Sequence, residues 1–264
     1  MIQSAAISQA PASVEAVLRE ELAHGDAMLG TIAPILRHLL ANDDHSVFGD
    51  EIIARVRGVT GEIARQLLDA AAGADRAEPQ AEQVDGLAAV LVEVPGFLAH
   101  VHALALEWQL VQRLQSRLAL DPVLSPLLQA LIASSDAATS GLAMNLLAAQ
   151  ARFCQAQKRM KLPLGELPGD LLHGALEALR ARLSDGEAVA RAESAIRARY
   201  DESCSRLGLA ARLVMGMGAG AVAALSITHA GASLFLSALS LATGQNRDLT
   251  VLSTNEAQMA RLAL

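Results

Sequence analysis

Aromatic residues are scarce in this chain, which has one Trp, one Tyr and four Phe among 264 residues. Proteins that bind nucleic acids stack bases on aromatic side chains and neutralise phosphates with clustered positive charge. The formal net charge here is −7, and the basic residues are interleaved with acidic ones. We therefore expect no nucleic-acid partner. The shortage of aromatic residues also argues against an all-β protein.

Cysteine is equally scarce. Cys154 and Cys204 are the two present, and neither belongs to a CxxC motif or lies at a metal-ligand spacing from histidine. This pattern predicts two buried thiols in a reducing compartment instead of a disulfide framework. The first 12 residues contain no Lys or Arg, and the first basic residue is Arg19, so we identify no secretory or transit signal. We expect a cytoplasmic location.

Alanine and leucine are what the chain has in abundance. There are 53 Ala and 44 Leu, and both are good helix formers. Apolar residues recur at spacings of three and four almost without interruption. The sequence therefore predicts an all-α protein without a sheet, built either as a helical-hairpin (HEAT-like) array or as a multi-helix bundle.

Glycine, proline and short polar clusters divide the helical pattern. We predict four segments: a disordered tail over 1–12, an N-terminal helical subdomain over 13–72, a polar linker over 73–85 and a C-terminal helical domain over 86–264. Whether 13–72 packs as one unit with the rest is left open. The predicted helices are 14–24, 26–41, 48–72, 97–118, 123–133, 137–160, one starting at Asp170, an uninterrupted one over 186–215, and a last one capped by Ser253 with Glu256.

An internal echo favours a repeat architecture. At an offset of 92 residues, 36–53 aligns with 128–145 and pairs Leu36 with Leu128 and Asp44 with Asp136. Each block is a helix end, a polar turn and a helix start. Because HEAT-type hairpins measure roughly 40 to 47 residues, the offset corresponds to about two units.

Two stretches carry a family resemblance: LAAQARFCQAQKRMKLPLGELPGDLLHGAL at 147–176 and ARLVMGMGAGAVAALSITHAGASLFLSALSLATGQNRDLTVL at 211–252. Together they resemble a bacterial domain of unknown function made of HEAT-like helices. The resemblance rests on Gly231, Phe235, Gly244 and Arg247. It implies a helical array and brings no catalytic motif.

The glycine-rich run from Gly216 to Ala221 satisfies the G-x-G-x-x-A form of the dinucleotide-binding fingerprint. A genuine fingerprint follows a β-strand and precedes an acidic residue by about 20 positions. Here the preceding residues have a helical pattern, and no acid occurs before Asp248. We interpret the run as a helix end packed closely through glycine, and we expect no cofactor.

Two Glu/Asp-x-x-His motifs have the spacing used in carboxylate-bridged di-iron bundles: Glu21 with His24, and Asp170 with His173. Such a centre also needs two further inward-facing acids, and with seven histidines in 264 residues this spacing occurs easily by chance. His100 and His102 point in nearly opposite directions on a helix, so they cannot chelate one ion. We interpret both as helix-surface histidines and expect no metal site.

His38 has the setting of a phosphotransfer histidine, but apolar residues 39–41 follow it where such modules have basic and small ones. Ser233, between Gly231 and Phe235, lacks the second glycine of a nucleophile elbow. We therefore assign no catalytic residue.

From Leu213 to Asn246 the chain has 34 residues without a single Asp, Glu, Lys or Arg. This length would suffice to cross a bilayer, which needs about 20 consecutive apolar residues. Glycines and polar residues divide it into shorter pieces, however, so we predict a buried helical hairpin. On this view Leu225→Ala or Phe235→Ala should leave a cavity and destabilise the fold.

Three functional hypotheses follow. The first is a non-enzymatic helical scaffold or adaptor that binds another protein, since repeat arrays expose long surfaces suited to that work; self-association stays open. The second is a small-molecule or lipid-binding protein that uses the apolar C-terminal helices. The third is an enzyme whose site is assembled from isolated residues such as His24, His38 and Asp44.

Overall fold

A computed structural model describes residues 14–41, 49–73 and 79–254. Every regular element in these ranges is a helix, which confirms the predicted all-α class. Three short 3-10 helices (Leu164–Glu166, Glu202–Cys204, Gly218–Leu225) accompany the α-helices. The latter are α1 Val14–Ala41, α2 Asp50–Ala72, α3 Ala81–Glu93, α4 Phe97–Leu118, α5 Pro126–Ile132, α6 Ala137–Lys158, α7 Gly169–Arg182, α8 Gly186–Arg197, α9 Arg206–Gly216, α10 Ile227–Thr243 and α11 Arg247–Leu252.

The buried apolar side chains form two clusters. The first fills the space between α1, α2, α3, α4, α7 and α8, and it also receives residues of α6, α10 and α11. The second is smaller and lies between α5, α6, α9 and α10. Phe235 of α10 packs against both clusters. The helix α10 therefore joins the two halves of the core.

The predicted linker is shorter than its composition indicated. Helix α3 begins at Ala81, inside the stretch 73–85, because Gln80 and Gln83 form a reciprocal capping box and Val84 is buried. Residues of α2, before the linker, share the first core cluster with those of α3, α4 and α8. The tail over 1–12 lies outside the described residues.

The helix break predicted near Gly25 does not occur, since α1 is continuous from Val14 to Ala41. Glycine inside a helix costs roughly 1 kcal/mol relative to alanine, but Gly25 is buried, and packing outweighs this propensity. In the second block of the internal echo, Asp136 caps α6 by accepting from the backbone N–H of Thr139. The corresponding turn around Asp44 lies outside the described residues.

The helix predicted as uninterrupted over 186–215 is broken instead. Helix α8 ends at Arg197 and α9 begins at Arg206. Between them Asp201 accepts from the backbone N–H of Ser203, and Ser205 accepts from that of Gly208. Short polar side chains that hydrogen-bond nearby backbone compete with a helix in this way. Because of this break, the side chain of Arg206 points in a different direction from the one it would have in an uninterrupted helix.

Two other helix starts also differ from the prediction. Asp121 caps a turn by accepting from the N–H groups of Val123 and Leu124, and Ser125 is the residue that caps α5. Asn246 caps α11. The final helix predicted from Ser253 and Glu256 lies beyond the described residues, which end at Thr254.

The uncharged stretch 213–246 divides into an exposed half and a buried half, so the prediction of a wholly buried hairpin was wrong. Most residues from Met215 to Thr228 are exposed, whereas those from Ala230 to Ala238 are almost all buried. The side chain of Leu225 is 40% exposed, so Leu225→Ala would open no cavity. Phe235 is half-buried between the clusters. The first half is exposed because most of it forms the 3-10 helix Gly218–Leu225, in which Ala224 is the one buried residue.

Within the described ranges no single helix is long and apolar enough to cross a membrane. Two neighbouring pairs reach the length together, α3 with α4 and Gly218–Leu225 with α10. They are bent by 97° and 114° respectively.

Gly231 creates a kink inside α10. Its φ of 70° and ψ of 169° lie in a region that only glycine occupies without strain. A Cβ there would also approach Cβ of Ser125 to 3.0 Å. The kink turns the buried half of α10 into the gap between α4, α5 and α9.

We expect Gly231→Ala to lower the free energy of unfolding by about 2 to 3 kcal/mol, because backbone strain adds to the contact with Ser125. Urea unfolding followed by circular dichroism measures this change. Gly61→Ala is the matched control, since a Cβ at this position in α2 meets no atom within 4 Å. It should be neutral or stabilise by up to about 1 kcal/mol. Equal effects of the two variants would contradict the role given to Gly231.

Candidate functional site

The glycine-rich run 216–221 ends α9 and begins the 3-10 helix Gly218–Leu225. Gly218 has a φ of 53°, which lets the chain change direction between the two helices. A helix, and no strand, precedes the run. The geometry thus agrees with the interpretation as a helix end.

The predicted metal-type motifs are only partly described. Asp170 and His173 are exposed on α7, and the nearest carboxylate to His173 is that of Glu177 at 4.0 Å. The side chains of Glu21, His24 and His38 and the whole of Asp44 lie outside the described residues. In the described part of the chain no three His, Cys, Asp or Glu side chains are grouped as metal ligands would be.

His100 and His102 are buried in α4, so the interpretation as surface histidines was wrong. Nδ1 of His100 lies 3.0 Å from Oδ2 of Asp248 on α11. Burial lowers the pKa of His102 to about 4, so its imidazole is neutral in the native protein near pH 7. Because these two buried residues are two positions apart on a helix, α4 is buried on more than one face.

The centre of the molecule holds a cluster of buried charges. The carboxylate of Glu107 on α4 is completely buried and receives bidentate hydrogen bonds from two guanidinium groups. Arg206 donates to Oε1 and Oε2 at 2.6 and 3.0 Å, and Arg247 donates to the same two atoms at 2.9 and 3.0 Å. We call these three residues the ion cluster.

Burial alone would raise the pKa of Glu107, but the charges and hydrogen bonds of Arg206 and Arg247 outweigh this effect and hold the pKa well below its usual range. The guanidinium of Arg206 also lies 3.7 Å from the ring centroid of Phe153 and donates to Oγ of Ser233 at 3.3 Å. Ser233 is thus engaged as an acceptor in the core. These contacts satisfy charges that burial would otherwise make costly.

The two cysteines differ. Cys154 is buried beside the ion cluster, and burial raises the pKa of its thiol to about 11, so the thiol stays protonated. Cys204 is exposed, contrary to the prediction, and donates to Oδ2 of Asp201 at 3.1 Å. The break between α8 and α9 places it at the surface.

The exposed half of the uncharged stretch forms an apolar surface. Its large side chains are Met215, Val222 and Leu225, which are 60%, 73% and 40% exposed. No charged residue occurs between them in the sequence. We call residues 215–225 the apolar segment. Three large apolar side chains exposed within one short uncharged segment make it a candidate interaction surface.

A cavity beside the kink of α10 bears on the hypothesis of an apolar ligand pocket. It is lined by residues of α4, α5, α6 and α10, and its volume is about 30 Å³. This volume accommodates about one water molecule. Oε1 of Gln150, which is buried and has no partner among the described residues, faces the region. The cavity fits a structural water better than an organic ligand.

A second concave region is larger and polar. Two adjoining cavities of about 270 and 300 Å³ share Arg152 and Pro163 as a common wall. They lie between α2, α6, the loop 161–166 and the break between α8 and α9. We call them together the Arg152 cleft.

Sequence reasoning missed both the ion cluster and the cleft. Arg206 lies inside the helix predicted over 186–215, where alternating acidic and basic residues indicate a solvated face, but its side chain is buried. The polar run Asp201–Ser205 was the available signal for the break, because Asp and Ser are common helix N-caps. No local pattern connects Glu107 with partners 99 and 140 residues away.

Comparisons with protein-family models, with curated proteins and with solved structures found no match. The arrangement of this molecule's own side chains is therefore the basis for inferring what it does.

We expect Glu107→Gln to lower the free energy of unfolding by about 3 to 5 kcal/mol, because it removes the carboxylate that neutralises the buried guanidinium of Arg206 and the partly buried one of Arg247. Glu177→Gln is the matched control. This residue pairs with Arg180 at the surface, and both side chains are about half exposed, so the change should be below about 1 kcal/mol. Denaturant unfolding of both variants measures the two changes. An equal loss of unfolding free energy in Glu107→Gln and Glu177→Gln would contradict the structural role of the ion cluster.

His102 should make stability depend on pH. Because its folded-state pKa is lower than the unfolded value, the unfolded chain binds more protons between about pH 6.5 and 4, and stability falls as the pH is lowered through this window. From pH 6.5 to 5 the loss from this group is about 1.5 kcal/mol. We expect His102→Gln to remove that part of the slope in urea unfolding measured at several pH values. An unchanged slope would contradict the assignment.

Proposed function

We propose that the protein is a non-enzymatic helical scaffold or adaptor that binds another protein through the apolar segment 215–225. The observation that supports this most directly is the exposure of Met215, Val222 and Leu225 within a stretch that contains no charge. A partner that covers these side chains would remove apolar surface from water. A cytoplasmic location is part of the same proposal.

The construction of the apolar segment suits a docking surface. It begins in the last turn of α9, which is anchored in the core by Leu209, Leu213 and Val214. On its other side α10 is anchored by a run of buried residues from Ala230 to Ala238. The exposed side chains thus lie at the end of one anchored helix and on the 3-10 helix that connects it to the next.

The absence of charge in the segment favours a protein surface as the occupant. Interface cores are depleted in charged residues and enriched in Met and aromatic side chains. A groove or helix face that offers large apolar side chains would complement Met215 and Val222. The rim around them is polar, since Ser226 and Thr228 are exposed next to Leu225.

Site-specific photo-crosslinking in the native cell tests the proposal. A photoreactive residue in place of Val222 should give a discrete adduct with a second protein, and Met215→Asp in the same chain should abolish it by placing a charge in the contact. The matched control is the same photoreactive residue at Leu118, which is 54% exposed but lies beside Arg117 and outside the segment.

No adduct at position 222, or equal adducts at 222 and 118, would contradict the proposal. An adduct with the mass of two copies of this chain would show self-association instead of an adaptor role. Circular dichroism of the Met215→Asp variant establishes that the fold is retained, which we expect because the side chain is mostly exposed.

A further inference from the structure

The walls of the Arg152 cleft are fixed by contacts between distant parts of the chain. Gln66 of α2 donates to the carbonyl of Leu162 at 2.8 Å and accepts from the N–H of Leu164 at 3.2 Å. Tyr200 donates to the carbonyl of Leu167 at 2.8 Å. Glu166 accepts from the backbone N–H of Arg206 at 2.8 Å. The loop 162–167 is therefore held from both sides, and the cleft is preorganised.

The walls of the cleft carry four cationic side chains and three acidic ones, Glu62, Glu166 and Asp201. Arg152, Arg159, Lys161 and Arg199 line the two cavities. Lys161 pairs with Glu62 at 3.2 Å, but Arg152, Arg159 and Arg199 have no carboxylate within 4.0 Å in the described part of the chain. Three exposed arginines without an ion-pair partner in this part of the chain thus line a concave surface in a protein whose net charge is −7.

The acidic groups of the cleft are already engaged. Glu62 bonds to Arg65 and Lys161, and Asp201 accepts from Ser203 and Cys204 in its own turn. Glu166 is fixed by the N–H of Arg206, and its carboxylate faces the same cavity as Arg152 and Arg199. Arg152 lines both cavities and interacts electrostatically with Glu166, so a ligand in either cavity meets its guanidinium group.

We propose that the Arg152 cleft binds a small phosphate-bearing molecule, with its phosphate group against Arg152 and Arg199 and a hydroxyl group donating to Glu166. Guanidinium groups form paired, charge-assisted hydrogen bonds with phosphate oxygens. Cavities of about 270 and 300 Å³ accommodate a phosphate and a short hydroxylated carbon chain. This site is separate in sequence from the apolar segment and does not depend on the adaptor role.

Isothermal titration of the full chain at low ionic strength tests the proposal, with glycerol 3-phosphate and inorganic phosphate as probes. We expect saturable binding of one glycerol 3-phosphate per chain, tighter than that of inorganic phosphate because of the hydroxyl contact. Arg152→Gln and Arg199→Gln should each weaken binding about tenfold or more, since each removes a charge-assisted pair with the phosphate.

Arg191→Gln is the matched control, because Arg191 is an exposed arginine on α8 that does not line the cleft. It should leave the affinity within about twofold, because its side chain does not line the cleft. Thermal unfolding checks that each variant is folded.

Absence of saturable binding, or equal losses in Arg152→Gln and Arg191→Gln, would overturn the proposal. Equal affinities for the two probes would overturn the contact with Glu166. A lipid headgroup is the other source of a phosphate. If the protein sediments with phosphatidylcholine vesicles that contain phosphatidic acid, if Arg152→Gln abolishes this and if the free probes do not bind, the cleft binds a lipid headgroup, which would contradict a small soluble ligand.

Discussion

The carboxylate of Glu107 is the point on which this structure depends. It lies on α4, in the larger core cluster, and it binds Arg206 at the start of α9 and Arg247 at the start of α11. Arg206 in turn contacts Phe153 of α6 and Ser233 of α10, and its backbone N–H donates to Glu166. One buried negative charge thus ties together segments from both core clusters. An ion pair of this kind specifies an arrangement because any other packing would leave a buried charge unpaired.

The ion cluster also shapes the surfaces to which we assign functions. It fixes the first residue of α9, the helix whose last residues begin the apolar segment 215–225. Through Glu166 it holds the inner wall of the Arg152 cleft. The two surfaces differ in chemistry, since one has no charge and the other has three arginines without carboxylate partners among the described residues. They are therefore suited to different partners.

A further constraint is the kink at Gly231. It lets the apolar second half of the uncharged stretch enter the core while the first half stays at the surface. The two halves have similar compositions, because both are rich in Ala and Gly. They differ in solvent exposure because neighbouring helices cover only one of them. Helices α4, α5 and α9 do so for the second half.

The all-α class could be predicted from the sequence, because the excess of Ala and Leu and the spacing of apolar residues by three and four are local properties of the chain. The sequence also located α4, whose predicted bounds of 97 and 118 agree with the structure, and α6 to within two residues at its end. Arg55, by contrast, was recognisable only as the partner of Glu51 one helical turn earlier. In the folded chain it is buried, donates to the carbonyl of Gln157 and lies 5.6 Å from the ring of Trp108. The same holds for the pairing of Glu107 with Arg206 and Arg247 and for the burial of His100 and His102. These contacts depend on residues far apart in the sequence, so they follow from the tertiary structure, because the helices that pack against a helix determine which of its polar faces meets water.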